Sequence, residues 1–340
     1  MKHIQRIPTH LTRAVIAMGQ GGSDAIAYAQ ARGWADDTRT IETITKGSVV
    51  PASTTVGTAA LAQTAVQNVA AVIGPVSAFG QVARRSVNLT IDRSASIQVP
   101  GVVQSATGLV FVAQGAPIPM RQLSYASVTL DPKKMGVGIG LTRELAEGAN
   151  AEVLMGQAIV ENCSLAMDTL LLDTVSVDTT RPAGLRNGVS AITATAGGGV
   201  AALIKDLSNI AVAIAPVCGS MDNIIFLAAP SEAVRISLYA PSSFKYPVFA
   251  TSGLAAGVVM GLATNCLAIA ADPEIRIQTS KEATMHFEDT SPAPISAGVT
   301  VATPVRSLWQ TDSIGLRLIF TLNWALRTTG AIAWTTAVTW

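Results

Sequence analysis

Charge is scarce in this chain. Only 13% of its 340 residues are Asp, Glu, Lys or Arg, against roughly 25% in ordinary soluble domains. Three long stretches, 47–83, 94–120 and 246–271, carry none at all. Mean hydropathy is +0.42 for a mass of 35.0 kDa. A chain of that size can bury roughly three quarters of its unfolded surface in its own core, so size alone does not demand partners. The shortage of charge does, because much of the surface must then be uncharged and prone to associate. The net charge of +1 provides no basic footprint for nucleic acid.

Other absences narrow the function. The three cysteines, Cys163, Cys218 and Cys266, lie far apart, which suits free, mostly buried thiols in a reducing compartment and not a disulfide framework. The long apolar stretch 253–271 is mostly Ala and Gly and contains Thr264 and Asn265, which argues against a membrane span. Lys2 and Arg6 precede an apolar run of only 14–18, short of the roughly seven residues a secretion signal needs. There is no Gly-x-Ser-x-Gly elbow, no phosphate loop ending in Gly-Lys-Ser/Thr and no His-Glu-x-x-His. His3, His10 and His286 stand apart from one another and from the cysteines, so no local spacing supports a metal site. Gly136, Gly138 and Gly140 lack the dinucleotide-binding spacing and read as a bend between strand and helix. Glu144 and Glu147 share a short helix face, where the helix dipole explains them better than acid–base chemistry does. No catalytic, cofactor-binding or metal residue is assigned.

What the chain does contain is a mixed α+β series. Leu11, Val15 and Met18 fall at helical spacing, and Ser23 can cap a second short helix running to Arg32. Residues 47–83 are rich in Ala, Thr and Val, suiting either an arm laid across a neighbour or an ordinary buried helix over 61–73. Val87, Leu89 and Ile91 alternate with polar residues, and a long excursion leaves near Val99 and returns through Leu123, Tyr125 and Val128 to Leu130. An isolated two-stranded ribbon is marginal in water, so it needs something to lie on. Thr142 can cap a short helix. A longer one over about 151–173 places Met155, Ile159, Cys163, Ala166 and Leu170 on one face. After Gly197, Leu203, Leu207, Ile210 and Ile214 form a helical stripe, 223–229 an apolar strand, and Ser231 starts another helix. Ile275 and Ile277 mark a strand, Met285 and Phe287 another. Ile314, Leu316, Leu318, Phe320, Leu322 and Trp324 then give a strict period of two, and a last strand follows from Ala331.

Between Gly115 and Gly188 these elements occur in a telling order: Gly115-Ala-Pro-Ile-Pro119, an extended run to Leu130, Asp-Pro-Lys-Lys134, Gly140-Leu-Thr-Arg-Glu-Leu145, the long helix, and Pro182-Ala-Gly-Leu185. That order resembles the major capsid proteins of tailed bacteriophages, the family with the Hong Kong 97-type shell fold. The resemblance covers about 45–340. It implies N-terminal helices and an arm over 1–83, an extended loop over 84–133, a peripheral domain with its spine helix over 134–196, an axial domain over 197–295, and peripheral C-terminal strands over 296–340. It implies a self-assembling icosahedral shell of pentamers and hexamers around packaged double-stranded DNA, held without sequence specificity. Portal, scaffolding, maturation protease and cement proteins are the further partners, with no membrane. Such shells belong to the virion and assemble in the bacterial host cytoplasm. Gly115, Pro117, Pro119 and Arg121 are expected to touch a neighbour. Arg317 and Arg327 either face other subunits or DNA, or are solvated strand ends. Some of these capsids join a loop lysine to a neighbour's asparagine. Between Ser86 and Leu130 this chain has Arg93 and Arg121 but no lysine, so noncovalent locking is expected, with Lys133 and Lys134 serving packing or charge pairing. No charged coiled-coil scaffolding segment is visible, so scaffolding is either separate or carried by a longer precursor. The alternative is an encapsulin-type nanocompartment around an enzyme cargo. Rivals of other classes are an enzyme with a dispersed site and a surface adhesin.

Overall fold

The computed structural model describes residues 25–34, 77–91, 96–101, 127–144, 151–272, 276–286 and 305–340, together with 13, 17, 37, 40, 41, 111, 112 and 114; at 151–160, 277, 286, 305 and 306 it describes the backbone alone. In chain order the elements are α1 (Ala25–Ala31), α2 (Ala78–Ala83), β1 (Val87–Thr90), β2 (Ile97–Pro100), β3 (Ser127–Leu130), β4 (Lys134–Thr142), α3 (Ala151–Leu172), β5 (Ile192–Thr193), α4 (Gly199–Cys218), β6 (Ile224–Ala228), α5 (Pro230–Tyr239), β7 (Val248–Ala250), β8 (Val259–Ala263), β9 (Leu267–Ala271), β10 (Arg276–Ser280), β11 (Thr284–His286), β12 (Val305–Ser307), β13 (Ser313–Leu326) and β14 (Ile332–Thr336). Two compact units share these elements: 1–56, 135–163 and 274–320 form one, and 57–134, 164–273 and 321–340 the other.

In the second unit a five-stranded sheet runs in the order β5-β14-β8-β6-β7. Every residue of β6 and β8 is buried, which accounts for their unbroken apolar sequence: a strand covered on both faces has no polar side to alternate with. The α4 stripe lies in the core of this sheet, with Leu203, Leu207, Ile210 and Ile214 at most 3% exposed. Gly261 on β8 lets the helix come close. A Cβ there would lie 2.5 Å from Ile210 Cγ2 and 2.7 Å from Ile214 Cδ1, well inside van der Waals contact. By length and hydropathy α4 could span a membrane, but its buried face is this core. The apolar stretch 253–271 resolves into a partly exposed turn over 253–258, then β8, a 3-10 turn and β9, both strands wholly buried.

The same unit holds a second sheet segment, in which β9 pairs in parallel with β1 and antiparallel with the second half of β13. The ribbon β2–β3 is antiparallel, with Ile97 opposite Leu130 and Pro100 opposite Ser127. Its base is seated on its own chain: Val99 and Leu130 are buried with Ile91, Ala268 and Ala270. The excursion therefore has an intramolecular footing that its alternation alone does not reveal. Gly115, Pro117, Pro119 and Arg121 lie outside the described residues.

The first unit contains β4, β10 and the first half of β13. Gln278 stands opposite Arg317 in the antiparallel β10–β13 pair, and β4 pairs with β13. The amide of Leu322 bonds the Lys133 carbonyl, and the amide of Arg143 bonds that of Asp312, so β4 and β13 run antiparallel. Gly136, Gly138 and Gly140 thus belong to a nine-residue strand, which corrects the expected bend; ladder bonds to β13 offset the poor strand propensity of glycine. The short pair β11–β12 and a small cluster of Ala17, Ala25 and Ala29 beside Tyr28 and Trp34 complete the unit.

Two boundaries differ from expectation. The strands β10 and β11 group with the first half of β13 and not with 197–273, which belong to the second unit. The last strand, β14, joins β8 and β5 instead of returning with β13. Its apolar residues are needed there, since Ala331 and Ala333 close the α4 core.

Candidate assembly interface

Helix α3 begins at Ala151 and ends at Leu172, as its amphipathic spacing predicts, but its buried face is turned by about one residue. Ser164, Met167, Asp168, Leu171 and Leu172 are buried, whereas Ala166 is exposed and Cys163 and Leu170 are only partly covered; the side chains of Met155 and Ile159 lie outside the described residues. One inward polar side chain accounts for the rotation. The Asp168 carboxylate accepts from Ser77 Oγ at 2.5 Å, the Ala78 amide at 2.9 Å, the Phe79 amide at 3.0 Å and Thr251 Oγ1 at 2.6 Å. It thereby satisfies the otherwise orphaned first amides of α2. Gly253 packs directly on it: a Cβ there would sit 2.7 Å from the Asp168 carbonyl carbon.

A second buried carboxylate does similar work beside the core of the five-stranded sheet. Asp206, 2% exposed on α4, accepts from the Thr195 amide at 2.8 Å, Thr195 Oγ1 at 2.5 Å and the Trp340 indole Nε1 at 2.8 Å. Both aspartates are occupied by donors of their own chain, which makes them structural ties. Hydropathy cannot distinguish such residues from solvated ones, and their partners lie far off in sequence.

No group of three or more His, Cys, Asp or Glu side chains placed to hold a metal ion occurs among the described residues. All three cysteines are free thiols. Burial pushes the thiols of Cys163 and Cys266 above the usual range, the opposite of what a nucleophile needs.

The expected basic residues are largely engaged within the chain. Arg327 donates to the carbonyls of Pro100 at 2.9 Å and Asn265 at 3.2 Å, tying the end of β2 to the turn before β9. Arg317 is exposed and donates through Nε to Gln278 Oε1 at 3.1 Å. Lys133 Nζ donates to the carbonyls of Asp178 and Thr179 at 3.2 and 2.8 Å.

Exposed apolar residues are the feature that an isolated molecule does not explain. On α4, Val200, Ile204 and Val212 are exposed at 45%, 42% and 67%; at about 3.6 residues per turn Val200 and Ile204 flank the buried stripe and Val212 lies on the far side of the helix. On α5, Val234 and Leu238 are exposed as well. In the second unit an open cavity of about 310 Å³ is lined by Val128, Val177, Pro182, Leu185, Trp324 and Leu326 among others. In the first unit Trp309 is 77% exposed. Fully buried cores beside apolar outer faces match a surface made to be covered. Sequence reasoning found the inner stripe of α4 and passed over its exposed apolar residues, although the helix carries only Lys205 and Asp206 as charges.

Comparison with known proteins gives this architecture a context. No family model matches the chain. A capsid polyprotein of Pseudomonas phage PAJU2 is 25% identical over 271 residues, covering 73% of this chain; the chain spans about 40% of that relative's length. A chain in the solved structure of the satellite phage P4 procapsid including size determination (Sid) protein superposes with a TM-score of 0.51 at 13% identity, covering 81% of this chain and 99% of that one. One from Microbacterium phage Oxtober96 gives 0.52 at 11% identity, covering 86% and 95%. Mixed helix and sheet in this arrangement, shared over most of both chains, is the Hong Kong 97-like fold of phage capsid proteins, and this chain has it.

Proposed function

We propose that this protein is a phage major capsid protein that self-assembles into an icosahedral shell around double-stranded DNA. The observation that carries the reading is the capsid fold, shared with nearly the whole of a procapsid chain, in a molecule whose outward faces on α4 and α5 are apolar. The relative that shares sequence with it is a phage capsid polyprotein, which favours a DNA-filled phage head over a nanocompartment with enzyme cargo. The role is mechanical. Interfaces on the order of the standard 1,600 Å², repeated over pentamers and hexamers, sum to a lattice that dissociates slowly. The extended loop around Gly115, Pro117, Pro119 and Arg121 reaches a neighbouring subunit, and Arg317, exposed on β13, offers a cation to a partner. DNA is held by bulk charge and confinement, without base readout. Portal, scaffolding, maturation protease and cement proteins are the accessory partners, and the assembled site is the virion, built in the host cytoplasm.

Electron microscopy and light scattering of the purified protein test this. Closed shells, or rings of five and six that close into shells, are the expected result. A stable monomer at micromolar concentration with no large species overturns it.

A further inference from the structure

The chain has five tryptophans, and four of them are accounted for by its own packing. Trp324 and Trp340 are buried at 3% and 7% exposure. Trp334 is half-buried, donates its indole N–H to the Val189 carbonyl at 2.9 Å and carries the Arg186 guanidinium 4.9 Å above its ring. Trp34 is half-buried against Tyr28. Trp309 alone stands out, 77% exposed at the tip of the turn joining β12 to β13.

That tip is built stiff. The Thr311 amide bonds the Ser307 carbonyl at 3.2 Å and the Ser313 amide bonds that of Leu308 at 2.9 Å. Leu308, next to the exposed indole, is itself 0% exposed and is anchored by its amide to the Ala283 carbonyl at 3.0 Å. Gly315 makes the seat for it, since a Cβ there would fall 2.8 Å from Leu308 Cδ1. Asp312 takes the left-handed conformation at φ 44, a costly choice for a residue with a side chain. It is held there by the Arg143 amide on its carbonyl at 2.9 Å and by an ion pair with Arg143 Nε at 3.2 Å. A large amphipathic ring presented on a turn that loses little freedom when it docks is the composition of an interface anchor.

We propose that Trp309 is a docking anchor between copies of this chain, buried on assembly in a charge-poor surface of a second copy. This rests on the shell reading above and names the contact. A second copy fits better than nucleic acid or an anionic membrane, because among the described residues the turn itself, 308–312, carries no cation, and Arg143 beside it is paired with Asp312. It fits the outward apolar residues that a second copy offers on α4 and α5.

The test uses the intrinsic fluorescence of the full chain. Acrylamide quenching is measured on unassembled protein and on closed shells, for the wild type and for Trp309→Phe. The readily quenched component of the unassembled wild type, missing in Trp309→Phe, should vanish on assembly, and its emission should shift to the blue. Trp309→Ala should raise the threshold concentration for shell formation at least tenfold, while Trp309→Phe keeps it within about threefold. Shells in which Trp309 remains as quenchable as before, or a Trp309→Ala variant that assembles at the wild-type threshold, overturn the proposal and leave the shell reading intact. A wild type that never associates overturns both. Should Trp309→Ala misfold, the wild-type quenching result still decides.

Discussion

Replacing Asp168 should loosen α2 from the body of its unit, and the size of the effect can be worked from its four hydrogen bonds. In Asp168→Ala the buried Ala78 amide loses its acceptor, the Phe79 amide keeps only Ser77 Oγ at 3.1 Å, and the Ser77 and Thr251 hydroxyls lose theirs. A buried donor left without a partner costs about 1–3 kcal/mol. Counting the amide in full, and the two hydroxyls at the low end because they can rotate, gives about 3–5 kcal/mol. That is a large part of the roughly 5–15 kcal/mol that holds a native protein together. Asp168→Asn keeps the shape but turns one oxygen into a donor facing donors, for a loss of about 2 kcal/mol. Urea unfolding of the unassembled protein, followed by circular dichroism, measures both, and protease cleavage within 77–83 should accelerate in step. An Asn variant within 0.5 kcal/mol of the wild type would refute the claim that these four bonds hold α2 in place.

Gly261→Ala drives a methyl into Ile210 and Ile214 and should cost about 1–3 kcal/mol in thermal unfolding, partly recovered by trimming Ile214 to Val, which removes the Cδ1 that the methyl meets. The native protein should react slowly with a thiol reagent at pH 7, because burial raises the Cys163 and Cys266 thiols and so lowers the thiolate fraction; all three should react at once in denaturant, and fast labelling of the native state would contradict the burial. Mature particles boiled in detergent should run as one band near 35 kDa, since the described Lys133 amine is engaged with carbonyls of its own chain; a ladder joined through Lys and Asn would show a covalent lock. Deleting 103–124, which spares the buried Val99 and Leu130, should leave the unit folded by circular dichroism while blocking closed shells, and normal shells from that variant would remove the excursion from the interface.

The features legible in the sequence are those written in local period. The alternation from Ile314 to Trp324 became one 14-residue strand, and the Leu203 to Ile214 stripe became the buried side of α4. The bounds of α3 also followed, since helix length depends on residues close in the chain. Its rotation did not, because Asp168 points inward to donors at the start of α2, and no helical period encodes a partner 90 residues away. The strand at Gly136–Gly140 was hidden for a related reason: glycine carries no side chain to alternate, and the ladder to β13 alone makes it a strand. The destination of β14 was equally invisible, since an apolar strand fits either unit by pattern and only its register opposite β8 decides. Of the charge-free stretches, 246–271 turned out to supply the buried strands β8 and β9, and which apolar residues of α4 face out depended on knowing which face was already in.

The bonds made by β13 and its neighbours also bear on how the protein is made. Asn323 reaches back to the Asp131 carbonyl across 192 residues, and Arg327 to that of Pro100 across 227. Such remote pairings are slow to form. At a synthesis rate of about 5–20 residues per second, the 192 and 227 residues that separate these partners take about 10–45 s to make. Until β13 and β14 have emerged the second unit lacks two of its strands, and the apolar outer face of α4 has no finished core behind it.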